Sequence, residues 1–212
     1  MKRSILALAS VALSMAGCAS NPPSSKYAPV DAATAQALQG HDVQLLVKPT
    51  PSFVHMTTGD QATMTVGMLF GAVGGVVAAA TAIKHSQSAG QALVVENGIP
   101  DPTALLSEKV RELLATKYGS AIGSSGYAVT VATDHWALAK GAVVFNASVS
   151  VTRGETAGSK PLALGQCRYR SSNGANASTE DKLLANHAEK LKAELGTALD
   201  RCVEEFRQKL FP

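Results

Sequence analysis

The stretch that decides the fold is residues 143–153, which read Val143-Val144-Phe145-Asn146-Ala147-Ser148-Val149-Ser150-Val151-Thr152-Arg153. From Val143 to Val151 every second side chain is apolar, and most of those between are polar. A period of two places the apolar set on one face of a β-strand. This alternation is typical of an antiparallel sheet that has one face on the core and the other in water.

The segments around this strand predict its partners. Residues 127–133 and 161–170 have strand patterns, and residues 154–160 form a turn between strands. Asp101-Pro102 predicts a helix start, because the carboxylate caps free amides and proline in the first turn loses no hydrogen bond. That helix should end near Tyr118, just before Gly119.

A long helix is predicted over residues 179–210, capped by Ser178 or Thr179. Its apolar residues step by three and four and must lie on an apolar surface, which is most simply the dry face of the sheet. They are Leu184, Ala188, Leu191, Leu195, Ala198, Cys202 and Phe206. The predicted fold class is therefore α+β, a small, mostly antiparallel sheet packed by an amphipathic helix and a long C-terminal helix.

The N-terminus has the pattern of an export signal. A basic Lys2-Arg3 pair precedes a short apolar run that ends in Ala16-Gly17-Cys18. This resembles the signal of bacterial lipoproteins, which implies cleavage before Cys18 and lipidation of its sulfur. The alternative is an ordinary secretory signal cut near Ala16 or Ala19. By the same resemblance, Ala19 after the cysteine favours the periplasmic face of the outer membrane over the inner membrane.

The remaining chain divides by composition into four further segments. Residues 18–40 form the lipidated N-terminus and a tether, with a short helix over 31–38. Residues 41–60 hold a buried strand at 43–47 and a linker, residues 61–84 form an apolar segment, and residues 99–212 form the α+β periplasmic domain. Removal of residues 1–17 leaves 17 basic and 16 acidic side chains, so the charge gives no case for nucleic acid.

Two cysteines remain once Cys18 is assigned to lipid, and they are Cys167 and Cys202. In an oxidising compartment an even number of cysteines favours pairing, so we expect a disulfide that pins the C-terminal helix to the sheet. The alternative is two buried free thiols.

The apolar segment contains a row of small residues, Gly67, Gly71, Gly75 and Ala79, spaced by four. Such a row lets another helix approach closely. Three interpretations stay open: a membrane-embedded or re-entrant segment, including a hairpin folded at Gly74-Gly75, an assembly between helices outside the bilayer, or a helix that covers its own domain. The segment resembles those of glycine-zipper lipoproteins of the Gram-negative envelope, which implies envelope association rather than a reaction.

No pattern of catalytic, metal-binding or cofactor-binding residues stands out. The five histidines are dispersed, and Asp134-His135-Trp136 is expected to be a turn at the end of a strand. Arg168 and Arg170 alternate on one face of a strand and are a candidate anion contact. A solvated sheet face explains the same pair.

These observations predict a non-enzymatic envelope lipoprotein with a structural, scaffolding or accessory role and no cofactor. Its expected partners are the lipid bilayer, through acyl chains, and either further copies of itself or a membrane complex. One alternative is a periplasmic module that binds an apolar or anionic ligand between the sheet and the C-terminal helix. Another is an accessory lipoprotein of an envelope transport machine, which rests on a loose likeness in the order of elements.

Overall fold

The computed structural model describes residues 26–57, 71–123, 126–154, 160–171 and 179–212, with side chains of the second range described from residue 82 onward. The strands are β1 (Lys26–Ala28), β2 (Gln44–Val47), β3 (Val54–Met56), β4 (Tyr127–Ala139), β5 (Ala142–Arg153) and β6 (Ala163–Arg170). The helices are α1 (Ala32–Leu38), α2 (Gly71–Asn97), α3 (Pro102–Tyr118) and α4 (Glu180–Glu205), and α4 continues as a π-helical turn over Phe206–Leu210.

The strands form one six-stranded, mostly antiparallel sheet in the order β1-β6-β5-β4-β2, with β3 also paired to β4. The pairs β1–β6, β6–β5 and β5–β4 are antiparallel. By contrast, β2 and β3 lie parallel to β4, one after the other along the same edge. The predicted α+β class is confirmed, and the parallel pairs are an addition that the sequence pattern did not predict.

The alternation in β5 is confirmed. Its inward side chains are Val143, Phe145, Ala147, Val149 and Val151, and each is at most 3% exposed. The helix α3 presents Leu106, Val110 and Leu114 to the same core. It starts as predicted, because the Asp101 carboxylate accepts hydrogen bonds from the backbone amides of Thr103 and Ala104. It ends at Gly119, whose φ of 64° suits glycine.

The predicted turn at Asp134-His135-Trp136 is wrong, because β4 continues through these residues to Ala139. A β-bulge between Thr133 and His135 inserts one extra residue and thereby shifts the alternation. Trp136 consequently faces the core, where it is 6% exposed and its indole donates a 2.7 Å hydrogen bond to the Pro51 carbonyl. The turn falls instead at Lys140-Gly141, with φ values of 54° and 65° that fit a two-residue hairpin.

The long C-terminal helix is confirmed, with one correction to its apolar stripe. Leu183 is buried in place of Leu184, which is only partly buried. The backbone leaves helical geometry at Ala185, and Asn186 through Ala188 have φ values between 53° and 57°. This break shifts the helical phase, and a continuous period of 3.6 cannot anticipate it. Thr179 occupies the N-cap position but makes no capping hydrogen bond through its side chain.

Residues before 99 contribute half of the strands. The predicted helix over 31–38 is confirmed as α1, with the Asp31 carboxylate accepting from the Thr34 amide at 2.7 Å. The predicted strand at 43–47 is confirmed as β2, but it is an edge strand and Val47 is 49% exposed rather than buried. Strands from Lys26 onward therefore belong to the sheet, so the folded unit is larger than residues 99–212.

Of the alternatives left open for the apolar segment, the hairpin at Gly74-Gly75 is wrong, because α2 is one continuous helix from Gly71 to Asn97. Its later turns pack on β3. A β-carbon added to Gly90 would lie 2.0 Å from the Phe53 carbonyl oxygen, so only glycine allows this approach. None of the helices in the described ranges is both long enough and apolar enough to cross a membrane.

Replacement of Gly90 by alanine should destabilise the protein by about 1–3 kcal/mol, because the methyl group collides with backbone that cannot move aside cheaply. Gly196→Ala in α4 is the matched control, since nothing lies within 4 Å of its added β-carbon. The control should stabilise the protein by up to about 1 kcal/mol through helix propensity. Denaturant unfolding measures both, and equal stability of the two variants would contradict the packing of α2 on β3.

Candidate functional site

The disulfide Cys167–Cys202 is formed, with a Cα–Cα distance of 5.4 Å, and both cysteines are fully buried. Cys167 lies in the middle of β6 and Cys202 lies on the buried stripe of α4. The bridge therefore joins sheet to helix as predicted, and the alternative of two free thiols is wrong. Its place in the core makes it a structural bridge, because buried sulfurs are poorly accessible to exchange partners.

Two tyrosines fasten the same helix to the sheet on either side of the bridge. Tyr169 in β6 donates a 2.9 Å hydrogen bond to Glu194, and Tyr27 in β1 donates a 2.8 Å bond to Glu205. Burial, with the hydrogen bond and charge of Glu194, raises the pKa of Tyr169 to about 12, against a smaller opposing effect of Arg201. Tyr169 therefore remains a neutral hydrogen-bond donor throughout the physiological range.

Glu205 also holds the short edge strand β1 in place. Burial alone would raise the pKa of Glu205, but the hydrogen bonds from Tyr27 and Lys209 and the charges of Lys209 and Arg201 outweigh burial and lower it. The lowered pKa means that the ionised carboxylate stabilises the fold above its unfolded-state pKa. That contribution is lost as the pH falls through the lower folded-state value.

Arg168 and Arg170 lie on one face of β6, as the alternation predicts. Arg168 is opposite Asn146 and Arg170 is opposite Val144, on the face that points away from α4. Nearby on that face the Ser148 hydroxyl donates a 3.0 Å hydrogen bond to Asp134. The two arginines therefore belong to a polar, water-facing surface and do not reach the interface between the sheet and the C-terminal helix.

The interface between sheet and helix leaves little room for a ligand. The cavity lined by Phe53, Trp136, Leu191 and Leu195 has about 10 Å³ of free volume, close to the requirement of a single water molecule. A surface cleft of about 250 Å³ lies between Ser52, Gln91 and Trp136. Its carboxylate, Asp101, already accepts hydrogen bonds from the amides of the α3 N-terminus and from Thr50. Neither of these two spaces is lined by Arg168 or Arg170, whose access to such a pocket would favour the binding-module hypothesis.

Sequence reasoning missed two polar contacts that tie distant segments together. His55 in β3 forms a 2.6 Å contact with Glu180 in the first turn of α4. The hydroxyls of Thr50, Thr103 and Thr133 form a chain with spacings of 2.6 and 2.8 Å. Each contact joins residues far apart in the chain, so no local pattern could have revealed it. Within the described ranges, no group of three or more His, Cys, Asp or Glu side chains could hold a metal ion.

The small-residue row is only partly described. Cys18 and Gly67 lie outside the described residues, while Gly71, Gly75 and Ala79 belong to the first turns of α2. By helical periodicity these three fall on the same face as Ala82, Ser86 and Gly90. The latter three are buried, with Ala82 at 4% and Ser86 at 2% exposure. In the later turns of α2, the small residues on this face therefore pack within this chain.

Comparison with known proteins gives no relative. No protein-family model matches the chain, and neither a curated protein nor a solved structure matches it.

Loss of the disulfide through Cys167→Ala with Cys202→Ala should lower the free energy of unfolding by about 3–4 kcal/mol, because the bridge closes a loop of about 35 residues. Denaturant unfolding with and without reductant measures the effect. Reductant should destabilise the parent protein once it unfolds and leave the double variant unchanged. A parent protein that is insensitive to reductant after unfolding would contradict a bridge between these cysteines.

Proposed function

We propose that this protein is a non-enzymatic lipoprotein of the bacterial envelope. It is anchored through lipid on Cys18 at the periplasmic face of the outer membrane, and it serves as a structural or accessory component of a membrane complex. The observation that carries the proposal is the fully buried Cys167–Cys202 disulfide. Structural disulfides persist in the periplasm and are rare in the cytosol, so this bridge supports the export that the N-terminal signal predicts.

The architecture supports a structural role rather than chemistry. The core is closed by a disulfide and two tyrosine–carboxylate hydrogen bonds between α4 and the sheet. Two ionisable groups with shifted pKa values, Tyr169 and Glu205, make these contacts. Their hydrogen bonds hold α4 against the sheet. A catalytic acid or base would instead have to reach a substrate.

Replacement of Cys18 by serine should remove the protein from the outer membrane, because stable anchoring there requires acyl chains on the cysteine. Fractionation of cells and mass spectrometry of the mature N-terminus measure the effect. The parent should carry diacylglycerol and sediment with outer membranes, while Cys18→Ser should remain uncleaved or appear in the soluble periplasmic fraction. Cys167→Ala with Cys202→Ala is the control and should keep the lipid. An unmodified Cys18 in the parent protein would overturn the proposal.

We further propose that the first turns of α2 mediate self-association or contact with a partner helix in the membrane complex. In the later turns, Ala82, Ser86 and Gly90 on the small-residue face are buried, and Gly90 lies against Phe53 and His55. The same face continues by periodicity through Gly71 and Gly75, and small residues permit close approach of a second helix. The support for this proposal is that small residues continue along the same face of α2 from its later turns into its first turns.

Gly75→Leu should lower the oligomer size in detergent, because a large side chain keeps a second helix from approaching the row. Ala80→Leu is the control, since periodicity places residue 80 on the opposite face of the helix. Size-exclusion chromatography with light scattering measures the oligomer, and circular dichroism checks that both variants stay folded. If both variants keep the parent oligomer, the glycine row is not the contact.

A further inference from the structure

One end of the sheet carries the β4–β5 turn at Lys140-Gly141, and we call this end the hairpin pole. The strand β6 runs toward the pole and ends at Arg170, opposite Val144 at the start of β5. The strand β1 is antiparallel to β6, with Lys26 opposite Gln166. The chain therefore enters β1 from the side of the hairpin pole.

The helix α2 starts on the side of the same pole and runs away from it. Gly90 contacts Phe53 and His55, while Gln91 and Val94 border the cleft beside residues 50–52, so α2 is antiparallel to β3. The strand β3 itself runs toward the pole, with Met56 opposite Ala139. From Gly90 back to Gly71 the helix is about 28 Å long, whereas β3 advances only about 10 Å from Phe53 to Met56. The first turns of α2 therefore extend past the end of β3.

The charges around the hairpin pole are mainly basic. Glu180 and Asp181 lie in the first turn of α4, and Glu180 is paired with His55. The basic side chains are Lys84, Lys140, Arg170 and Lys182, and all four are exposed. At the opposite end of the molecule, Glu204 and Glu205 pair with Arg207 and Lys209 in salt bridges. Among the described residues named here, the pole carries four exposed basic side chains against two acidic ones, and the opposite end also carries the exposed Lys117, Arg153 and Lys160.

From these placements we propose that the hairpin pole is the membrane-facing surface of the protein and binds the anionic headgroups of the bilayer that holds its lipid anchor. The inference rests on the proposed lipidation of Cys18. Seven residues lie between Cys18 and Lys26, so the eight Cα–Cα steps from one to the other reach at most about 29 Å. This short tether keeps the pole near the headgroups, where each basic residue strengthens binding about fivefold. The first turns of α2, which are apolar in sequence, extend past β3 at this same end of the molecule.

The test uses the mature chain with Cys18→Ser, which removes the acyl anchor and leaves the surface itself. Sedimentation with phosphatidylcholine vesicles, with and without about one third phosphatidylglycerol, measures binding at low salt, where surface charges are least screened. The pole variant carries Lys84→Glu, Lys140→Glu and Lys182→Glu. The control carries Lys117→Glu, Arg153→Glu and Lys160→Glu, which changes the net charge equally at exposed positions of the opposite end. Circular dichroism checks folding, and Lys→Gln versions replace any variant that fails to fold.

We expect at least tenfold tighter binding of the Cys18→Ser parent to the anionic vesicles than to the neutral ones. The pole variant should lose at least tenfold in affinity for the anionic vesicles, and the control should lose less than threefold. Equal losses in both variants, or equal binding of the parent to both kinds of vesicle, would overturn the inference. Because the assay uses a protein without the lipidated cysteine, such a failure would not contradict the proposed lipid anchor. If mass spectrometry shows that Cys18 is not lipidated in cells, the proposed function fails, and so does the argument that a short tether holds the pole near the membrane.

Discussion

The burial of one face of β5 beneath α3 and α4 is the constraint on which the rest of the structure depends. β5 lies between β4 and β6, so its inward side chains form the centre of the sheet's dry face. Burial of a side chain such as Val149 or Phe145 contributes about 1.5–3 kcal/mol. That face must be covered, and α4 covers it with a stripe that includes Cys202, directly above Cys167. The disulfide is thus a consequence of the packing and then reinforces it.

The small-residue row on α2 shows how one sequence pattern can serve two purposes along a helix. At Gly90 the pattern has a clear intramolecular cause, because the Phe53 carbonyl lies where any β-carbon would be. Ala82 and Ser86 are buried on the same face. The first turns of α2 extend past β3, so packing against β3 does not explain the small residues there. A role in assembly is therefore proposed only for the Gly71 and Gly75 end of the row.

The chain directions give the molecule two unlike ends. The entry into β1, the exit of β3 and the first turns of α2 all lie toward the Lys140-Gly141 turn. This arrangement links the predicted lipid anchor to the apolar segment, which are separate features in the sequence. The proposed membrane-facing surface follows from this shared direction.

The sequence by itself determined the α+β class, β5 and its inward face, the start of α3 at Asp101, and the long C-terminal helix. It also predicted the Cys167–Cys202 pair, since two cysteines remain once Cys18 is assigned to lipid and an oxidising compartment favours their pairing. These features follow from local periodicity and capping, which a short window of sequence contains. Only the tertiary structure decided the parallel pairing of β2 and β3, the bulge before His135, the kink before Leu191 and the His55–Glu180 contact. Each of these depends on contacts between residues far apart in the chain or on packing that overrides local preference, so no local pattern could specify them.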